Sequence, residues 1–218
     1  MVFTPAASSG SSEDFRALIE ASYEKRNLMH LTAGSTVPLL RRSVWLVVRG
    51  MVKLSALSIN GDEMLLGLAG PNEPFGDPLS NVEAYEATTL GDTDLLCLTC
   101  DEISREPHLA MALLQGMGAR YRQSESMLAL LGLRRVEDRV RGFLELLAND
   151  YGQPCEQGLR LNIKLTHQEL ASALSTTRVT VTRVVGVLRD EGWLQIDDKR
   201  RLVITHLPAA NAPKGRRA

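Results

Sequence analysis

The length and composition of the chain indicate an ordinary globular protein. It has 218 residues, of which 44% are hydrophobic and 23% charged, which excludes a fibrous or intrinsically disordered chain. No apolar run approaches the roughly 18–20 residues that cross a bilayer, and the N-terminus lacks the pattern of a signal peptide. Three cysteines do not make a disulfide framework, so we expect a cytoplasmic protein without membrane contact.

Charge is distributed unevenly along the chain. Residues 1–133 carry 10 Lys and Arg against 16 Asp and Glu, a balance of −6, whereas residues 134–218 carry 15 against 10, a balance of +5. This asymmetry favours contact of the C-terminal half alone with a polyanion. A basic half is also compatible with a plain solvated surface.

The N-terminal half is typical of a small β-structure. Residues 1–14 are rich in Ser, Gly and Ala and are expected to be disordered, and residues 15–26 are compatible with a short helix. Short β-like runs follow, and Asn60-Gly61 predicts a type I′ hairpin turn between two of them. These runs are Ser43–Val48, Met51–Leu57, Met64–Leu68 and Asp94–Leu98. Their spacing indicates a barrel or sandwich.

After Pro107 the apolar spacing changes to that of a helix. Its heptad line consists of Ala110, Leu114, Met117, Tyr121, Ser124, Leu128 and Leu131. A second apolar line is formed by Leu109, Leu113 and Met127. A helix that is apolar on two sides needs two partners, so we predict that one is the β-structure and the other a second copy of the chain. The alternative is a single-sided core helix.

The segment LTHQELASALSTTRVTVTRVVGVLRDEGWL predicts two short helices joined by a tight turn. It follows a predicted helix at Val136–Asp150 and a predicted strand at Leu159–Leu165. Thr166 and Glu169 form a capping box ahead of a helix at His167–Leu174. We expect Ser175 or Thr176 to cap a second helix that reaches about Glu191 and ends at Gly192. This is a helix-turn-helix, and a terminal hairpin follows at Leu194–Ile196 and Leu202–Thr205.

The second of these helices has the asymmetry that DNA reading requires. Its apolar face is Val181, Val184, Val185 and Leu188, and the opposite face near its start presents Thr177, Arg178, Thr180, Thr182 and Arg183. An arginine fork bonds guanine O6 and N7 together, and a valine or threonine methyl suits the thymine methyl. We interpret residues Ser175–Arg189 as a helix for the major groove. The alternative is a solvated surface helix, and for Lys199, Arg200 and Arg201 a solvated turn.

These motifs resemble the CRP/FNR family of bacterial transcription regulators. The resemblance spans about residues 43–206 and rests on VWLVVRGMVKLS, NEPFGDPLS, the long helix and the helix-turn-helix, in which TRVTVTR is most similar to the family's nitrogen regulators. It implies an α+β homodimer that binds double-stranded DNA and RNA polymerase. Its parts would be a β-roll at 27–106, a dimerisation helix at 107–133, a winged helix-turn-helix at 134–208 and a tail at 209–218.

The resemblance also implies site residues. The DNA-contacting set is Thr166, His167, Gln168, Thr176, Thr177, Arg178, Val179, Thr180, Thr182, Arg183, Lys199 and Arg200. The dimer interface is Leu114, Met117, Tyr121, Ser124, Leu128 and Leu131. Because Val179 stands where the cyclic-AMP-binding members have Glu, a GTA…TAC inverted repeat is implied rather than a TGTGA type.

The effector pocket departs from the family pattern. The residues implied for it are Phe75, Gly76, Tyr85, Glu86, Arg120 and Glu125. Tyr85-Glu86 falls where the cyclic-AMP-binding members have Arg-Ser, and a carboxylate repels a phosphate, so cyclic AMP is not expected to bind. Glu83 replaces a pocket arginine of the nitrogen regulators, and Pro78 is a further departure, which leaves a 2-oxoglutarate-like effector open.

Other chemistry finds little support in the sequence. The iron–sulfur branch needs an N-terminal cysteine cluster, yet residues 1–96 contain no Cys, and the four His (His30, His108, His167, His206) are too scattered for a metal or haem site. Cys97 and Cys100 are interpreted as structural thiols. We predict a regulator without catalytic residues. The alternatives are a β-barrel small-molecule binder, including a cupin-like enzyme, and an interaction protein with a degenerate DNA-binding half.

Overall fold

The computed structural model describes residues 28–59 and 61–205. The expected helix at 15–26, Asn60, His206 and the tail at 209–218 lie outside the described residues. The chain divides into two compact units, of which the described parts are residues 28–124 and 125–205. None of the helices in these ranges is long and apolar enough to cross a membrane.

Two antiparallel sheets form the N-terminal unit. One sheet has the order β1-β7-β2-β5, with bounds Met29–Leu31, Thr93–Thr99, Ser43–Arg49 and Pro74–Phe75, and the other has the order β4-β3-β6, with bounds Glu63–Ala69, Val52–Leu57 and Tyr85–Thr89. Trp45 and Leu95 of the first sheet share a buried apolar cluster with Leu54 and Ala87 of the second. The predicted β-structure is therefore present, and the predicted strands occur close to their expected bounds.

The β3–β4 hairpin is present, but its turn is not the expected two-residue type I′ turn. Gly61 N donates to Ser58 O at 2.9 Å, and Ser58 N donates to Asp62 O at 2.8 Å. Gly61 has a φ of 82°. The loop therefore has three residues and closes on a glycine in the left-handed region, which is a common alternative for hairpins of this length.

The sandwich is followed by a short helix, α1 (Cys100–Arg105), and by the long helix, α2 (Pro107–Leu131). Leu109 and Leu113 of α2 pack in a buried cluster with Leu46 and Leu98 of the sheet. The heptad line lies on the other side and is exposed, with Leu114 at 58% and Tyr121 at 65% of their full accessibility. The two predicted apolar lines of the helix are thus separated into a buried and an exposed one.

The described part of the C-terminal unit contains the end of α2, three further helices and a four-stranded sheet of order β10-β11-β9-β8. The helices are α3 (Val136–Tyr151), α4 (His167–Ala173) and α5 (Arg178–Asp190), and the strands are β8 (Gln153–Cys155), β9 (Gly158–Arg160), β10 (Leu194–Ile196) and β11 (Leu202–Ile204). The strand expected at Leu159–Leu165 ends at Arg160, since Leu161 N makes one more bond, to Leu202 O at 2.8 Å, before the chain turns towards α4.

Candidate DNA-binding site

A reciprocal capping box begins α4, as the sequence predicts. Thr166 Oγ1 accepts from Glu169 N at 3.1 Å, and a Glu169 carboxylate oxygen accepts from Thr166 N at 2.7 Å. Two backbone N–H groups of the first turn are therefore satisfied by side chains. This fixes the direction in which the chain enters the helix-turn-helix.

The turn between α4 and α5 is made by a serine in a left-handed conformation. Ser175 has a φ of 49°, and Thr176 N donates to Ala171 O at 3.0 Å. That six-to-one bond and the left-handed residue are the marks of a Schellman motif, in which glycine is the usual residue. The expectation that Ser175 or Thr176 caps the second helix is wrong, because both residues form the turn that ends α4. Thr177 is the cap, and α5 begins at Arg178.

One face of α5 is buried in the unit. Val181, Val184 and Leu188 are at most 1% exposed, and Ala171 of α4 is fully buried, which permits a close approach of the two helices. The helix ends at Asp190 with Glu191 as its C-cap. The next residue, Gly192, has a φ of 72°, and Trp193 N donates to Leu188 O at 3.0 Å. Since β-branched residues have low helix propensity, packing is what holds this helix.

The opposite face of α5 presents two arginines and an exposed valine. Arg178, Val179, Thr182 and Arg183 line one shallow surface hollow, and Val179 is 79% exposed. Within the described residues, neither the Arg178 nor the Arg183 guanidinium has a hydrogen-bond or ion-pair partner. An exposed valine between two arginines is a surface suited to base edges and the thymine methyl.

Other arginines of the same unit are held by protein groups. Arg139 donates to Leu174 O at 2.8 Å. Arg141 pairs with Glu191 at 2.6 Å and lies 4.7 Å from the centre of the Trp193 ring. Arg178 and Arg183 differ from these arginines because they lie on the exposed face of α5 that we call the reading face (Arg178, Val179, Thr182 and Arg183). Residues 177–183 include no acidic side chain that could pair with them.

Asp197 organises the turn of the β10–β11 hairpin. Its Oδ1 accepts from Lys199 N at 2.9 Å and from Arg201 N at 2.8 Å, and Arg201 Nε donates to its Oδ2 at 2.7 Å. The bond from the Arg201 side chain holds the pKa of Asp197 below its ordinary value, with further lowering by the backbone N–H groups. Lys199 and Arg200 are exposed at the tip, where both can meet a phosphate.

The implied effector residues are only partly brought together. Arg120 Nη1 of α2 donates to Leu68 O at 2.6 Å and to Gln123 Oε1 at 2.9 Å. Burial raises the pKa of Tyr85, and the nearby Arg120 charge and the Gly76 N–H act against that rise. Tyr85 therefore lies near both Gly76 and Arg120. Phe75 belongs to the core at 1% exposure.

One implied pocket residue, Glu86, does not join that group, and one residue was missed. Strand alternation in β6 places Glu86 on the face opposite Tyr85, and Glu125 is exposed. The missed residue is Gln123, which is 3% exposed and whose Oε1 accepts from Leu68 N at 2.8 Å. Its spacing of three from Arg120 and ten from Leu113 is the signal that places it on the buried side of α2.

Within the described part of the chain, no group of three or more His, Cys, Asp and Glu can hold a metal ion. Cys97 and Cys100 are free thiols of intermediate exposure, and burial raises the pKa of Cys97. A raised thiol pKa disfavours the reactive thiolate.

Comparison with known proteins identifies the family. Residues 138–209 match the model of the Crp-like helix-turn-helix domain. The chain is 34% identical over 177 residues to a global nitrogen regulator of Synechocystis sp., with 77% of each chain covered. The chain belongs to the CRP/FNR family of transcription regulators. It is also 32% identical over 166 residues to a cyclic AMP receptor protein of Thermus thermophilus, covering 72% of this chain and 73% of the relative.

Solved structures of other bacterial proteins share the fold. A CRP/FNR-family transcriptional regulator of Thermus thermophilus is 25% identical with a TM-score of 0.66, over 82% of this chain and 93% of that chain. A cyclic nucleotide-binding domain containing protein of Listeria monocytogenes, at 18% identity, has a TM-score of 0.70 over 88% of this chain and 96% of that chain. As a CRP/FNR regulator this protein is a DNA-binding transcription factor of α+β fold and not an enzyme.

Proposed function

We propose that this protein is a homodimeric transcription regulator that reads a GTA…TAC-like inverted repeat with Arg178 and Arg183 and does not respond to cyclic AMP. The single observation that carries the proposal is the reading face of α5, where two arginines without protein partners flank a valine that is 79% exposed. Arginine is the usual reader of guanine, and a valine methyl suits an adjacent thymine.

The supporting contacts come from the capped helix start and the hairpin tip. Phosphate bonds fix the register of a protein on DNA without reading sequence. The implied phosphate and backbone contacts are Thr166, Gln168, Thr176, Lys199 and Arg200, and each of these residues is exposed or half-buried. Thr177 and Thr180 are occupied with each other, since their hydroxyl oxygens are 2.9 Å apart.

The second copy is proposed to pack along the exposed line of α2. Leu114, Met117, Tyr121 and Leu128 are 58%, 41%, 65% and 72% exposed and follow heptad spacing together with Ser124 and Leu131. Apolar heptad positions in water are typical of a helix that pairs with a copy of itself. Two-fold symmetry then sets the half-sites about 34 Å apart, one helical turn of DNA. RNA polymerase is the protein partner that the family membership suggests.

Cyclic AMP is not the proposed effector, because Tyr85-Glu86 replaces the Arg-Ser of the cyclic-AMP-binding members and so supplies neither the cation nor the hydroxyl for a cyclic phosphate. A dicarboxylate such as 2-oxoglutarate would meet Arg120 instead. The bonds to Leu68 O and Gln123 use Arg120 Nη1, and the N–H groups on Nε and Nη2 are those that a carboxylate would use. In a thermal-shift titration we expect no stabilisation by cyclic AMP, and a saturable upward shift would contradict this part of the proposal.

The deciding experiment is fluorescence anisotropy with a labelled GTA…TAC duplex and a scrambled duplex of equal length, at several salt concentrations. Arg178→Ala and Arg183→Ala should each weaken specific binding by about 1–3 kcal/mol per half-site. Arg189→Ala is the matched control, since Arg189 is an exposed arginine at the other end of the same helix. It should weaken both duplexes to the same small extent.

The proposal fails if the wild-type protein binds the two duplexes with equal affinity at every salt concentration. It also fails if Arg178→Ala and Arg189→Ala change specific binding equally, because the reading face would then contribute only charge.

A further inference from the structure

A histidine at the start of α4 contacts a threonine in the middle of the reading helix. His167 Nδ1 lies 2.8 Å from Thr182 Oγ1. His167 is the first residue of α4 and Thr182 lies in the second turn of α5. The contact therefore joins the two helices of the helix-turn-helix on the side of the reading face.

The direction of this hydrogen bond follows from the number of protons available. Thr182 Oγ1 donates to Arg178 O at 2.9 Å. A carbonyl oxygen only accepts, and a hydroxyl has a single proton to donate. Thr182 Oγ1 must then accept from His167, so the ring proton of His167 is on Nδ1.

The number of available protons also limits the hydrogen bonds that His167 and Thr182 can donate to a phosphate. With its proton on Nδ1, a neutral His167 ring has only an acceptor at Nε2, and phosphate oxygens are acceptors as well. The Thr182 hydroxyl has no further proton to donate. As long as the His167 ring is neutral, neither side chain can therefore donate to a phosphate in this arrangement.

The two hydrogen bonds form a relay, from His167 to Thr182 and from Thr182 to the carbonyl oxygen of Arg178, the first residue of the reading helix. Arg178 is at the start of α5, and its carbonyl oxygen receives the Thr182 proton. The first turn of a helix rich in β-branched residues is prone to fray. A bond that runs from α4 through Thr182 to the Arg178 carbonyl holds this turn in place, and with it the Cα from which the guanidinium projects.

We propose that His167 is a positioning residue for DNA reading, which acts through Thr182 on Arg178 and does not itself contact DNA. The proposal rests on the proposed function and assigns a role within it. It changes the expectation that His167 and Thr182 touch DNA through their polar atoms. In the hollow beside Val179, Thr182 then presents only its methyl group to DNA.

The two amide substitutions of His167 separate the alternatives. In His167→Asn an amide N–H occupies the position of Nδ1, and in His167→Gln it occupies the position of Nε2. Thr182→Ser keeps the hydroxyl, and Thr182→Val keeps the shape without it. All four variants are made in the full chain and measured on the GTA…TAC and scrambled duplexes, with thermal unfolding as a check on folding.

If His167 positions Arg178, His167→Gln and Thr182→Val weaken binding to the GTA…TAC duplex by about 5- to 100-fold, because each half-site loses a hydrogen bond. Binding to the scrambled duplex and the salt dependence stay as in the wild type. His167→Asn and Thr182→Ser stay within about twofold of the wild type. The double variant His167→Gln/Thr182→Val falls no further than either single variant, since both break one relay.

Two outcomes overturn the positioning role while leaving the proposed function intact. One is that His167→Gln binds as the wild type while His167→Asn loses affinity for both duplexes with a shallower salt dependence, which marks a phosphate contact through Nε2. The other is that all four variants keep the wild-type preference. A wild-type protein without preference between the duplexes overturns both the proposed function and this role.

Discussion

The serine in the turn between α4 and α5 gives a test of backbone strain. Ser175 has a φ of 49°, whereas the equivalent position after α5 is Gly192 with a φ of 72°. The two residues occupy the same place in two Schellman motifs. We expect Ser175→Gly to stabilise the C-terminal unit and Gly192→Ser to destabilise it.

The magnitude follows from two opposing contributions. A left-handed conformation costs a residue with a Cβ about 1–2 kcal/mol, and glycine loses about 0.5–1 kcal/mol more backbone entropy on folding. The difference is about 0.5–1 kcal/mol for each substitution, with opposite signs. Within the described residues the exposed Ser175 side chain has no hydrogen-bond partner to lose, and a Cβ at Gly192 meets no atom within 4 Å.

Urea unfolding followed by tryptophan fluorescence measures this difference. Trp193 is 7% exposed and belongs to the C-terminal unit, and Trp45, the other tryptophan, lies in the N-terminal core. In a Trp45→Phe background the signal reports Trp193 alone. With a slope of about 1 kcal/mol per molar urea for a unit of this size, each midpoint should move by about 0.5–1 M. Backbone strain at Ser175 is refuted if Ser175→Gly lowers the midpoint, or if neither substitution moves it.

Three further substitutions test other parts of the fold by urea unfolding, followed through Trp193 for the C-terminal unit and, in a Trp193→Phe background, through Trp45 for the N-terminal unit. Thr166→Ala removes one half of the capping box and should lower the midpoint of the C-terminal unit by an amount equivalent to about 1 kcal/mol; an unchanged midpoint would mean that the cap is redundant. Gly116→Ala should destabilise the N-terminal unit, because a Cβ there would lie 2.5 Å from the carbonyl oxygen of Asn72. The control Gly118→Ala should stabilise the same unit by up to about 1 kcal/mol through helix propensity. Equal effects of the two substitutions would contradict the close approach of Gly116 to Asn72. Burial raises the pKa of Glu145 despite the nearby charge of Arg141. The ionised carboxylate therefore destabilises the folded state at a pH above this raised pKa, and the effect is absent at a pH below the pKa that Glu145 has in the unfolded chain. Glu145→Gln should therefore raise the midpoint at pH 7 and have little effect at about pH 4 or below, and a gain that persists at low pH would disagree with the stated cause.

Sequence patterns predict the parts of this protein that local rules determine. The capping box at Thr166, the buried face of α5 and the wing hairpin follow from spacing and residue type, and the family match agrees with the fold. The misplaced α5 cap has a physical cause, since Ser175, Thr176 and Thr177 are all good caps. Which of them serves is decided by the bond from Thr176 N to Ala171 O, a tertiary detail that propensity does not contain.

The strands β1, β5 and β6 and the contacts of Arg120 were less accessible from the sequence. The β5 strand has two residues and includes Pro74, so neither its length nor its composition distinguishes it from a loop. Arg120 is a charged residue near the middle of a long helix, and nothing local shows that its guanidinium bonds the backbone of β4. The tautomer of His167 likewise depends on two helices being in place together.

The β-branched composition of α5 has a consequence for how DNA reading is lost. Val181, Val184 and Leu188 are buried only while α5 lies in its unit, and an isolated 13-residue segment with this composition does not hold a helix in water. Arg178 and Val179 thus keep their spacing only as long as the surrounding core is intact. Heat or denaturant should therefore abolish sequence preference at the same point at which the C-terminal unit unfolds, leaving residual attraction of the chain to DNA that depends on charge alone.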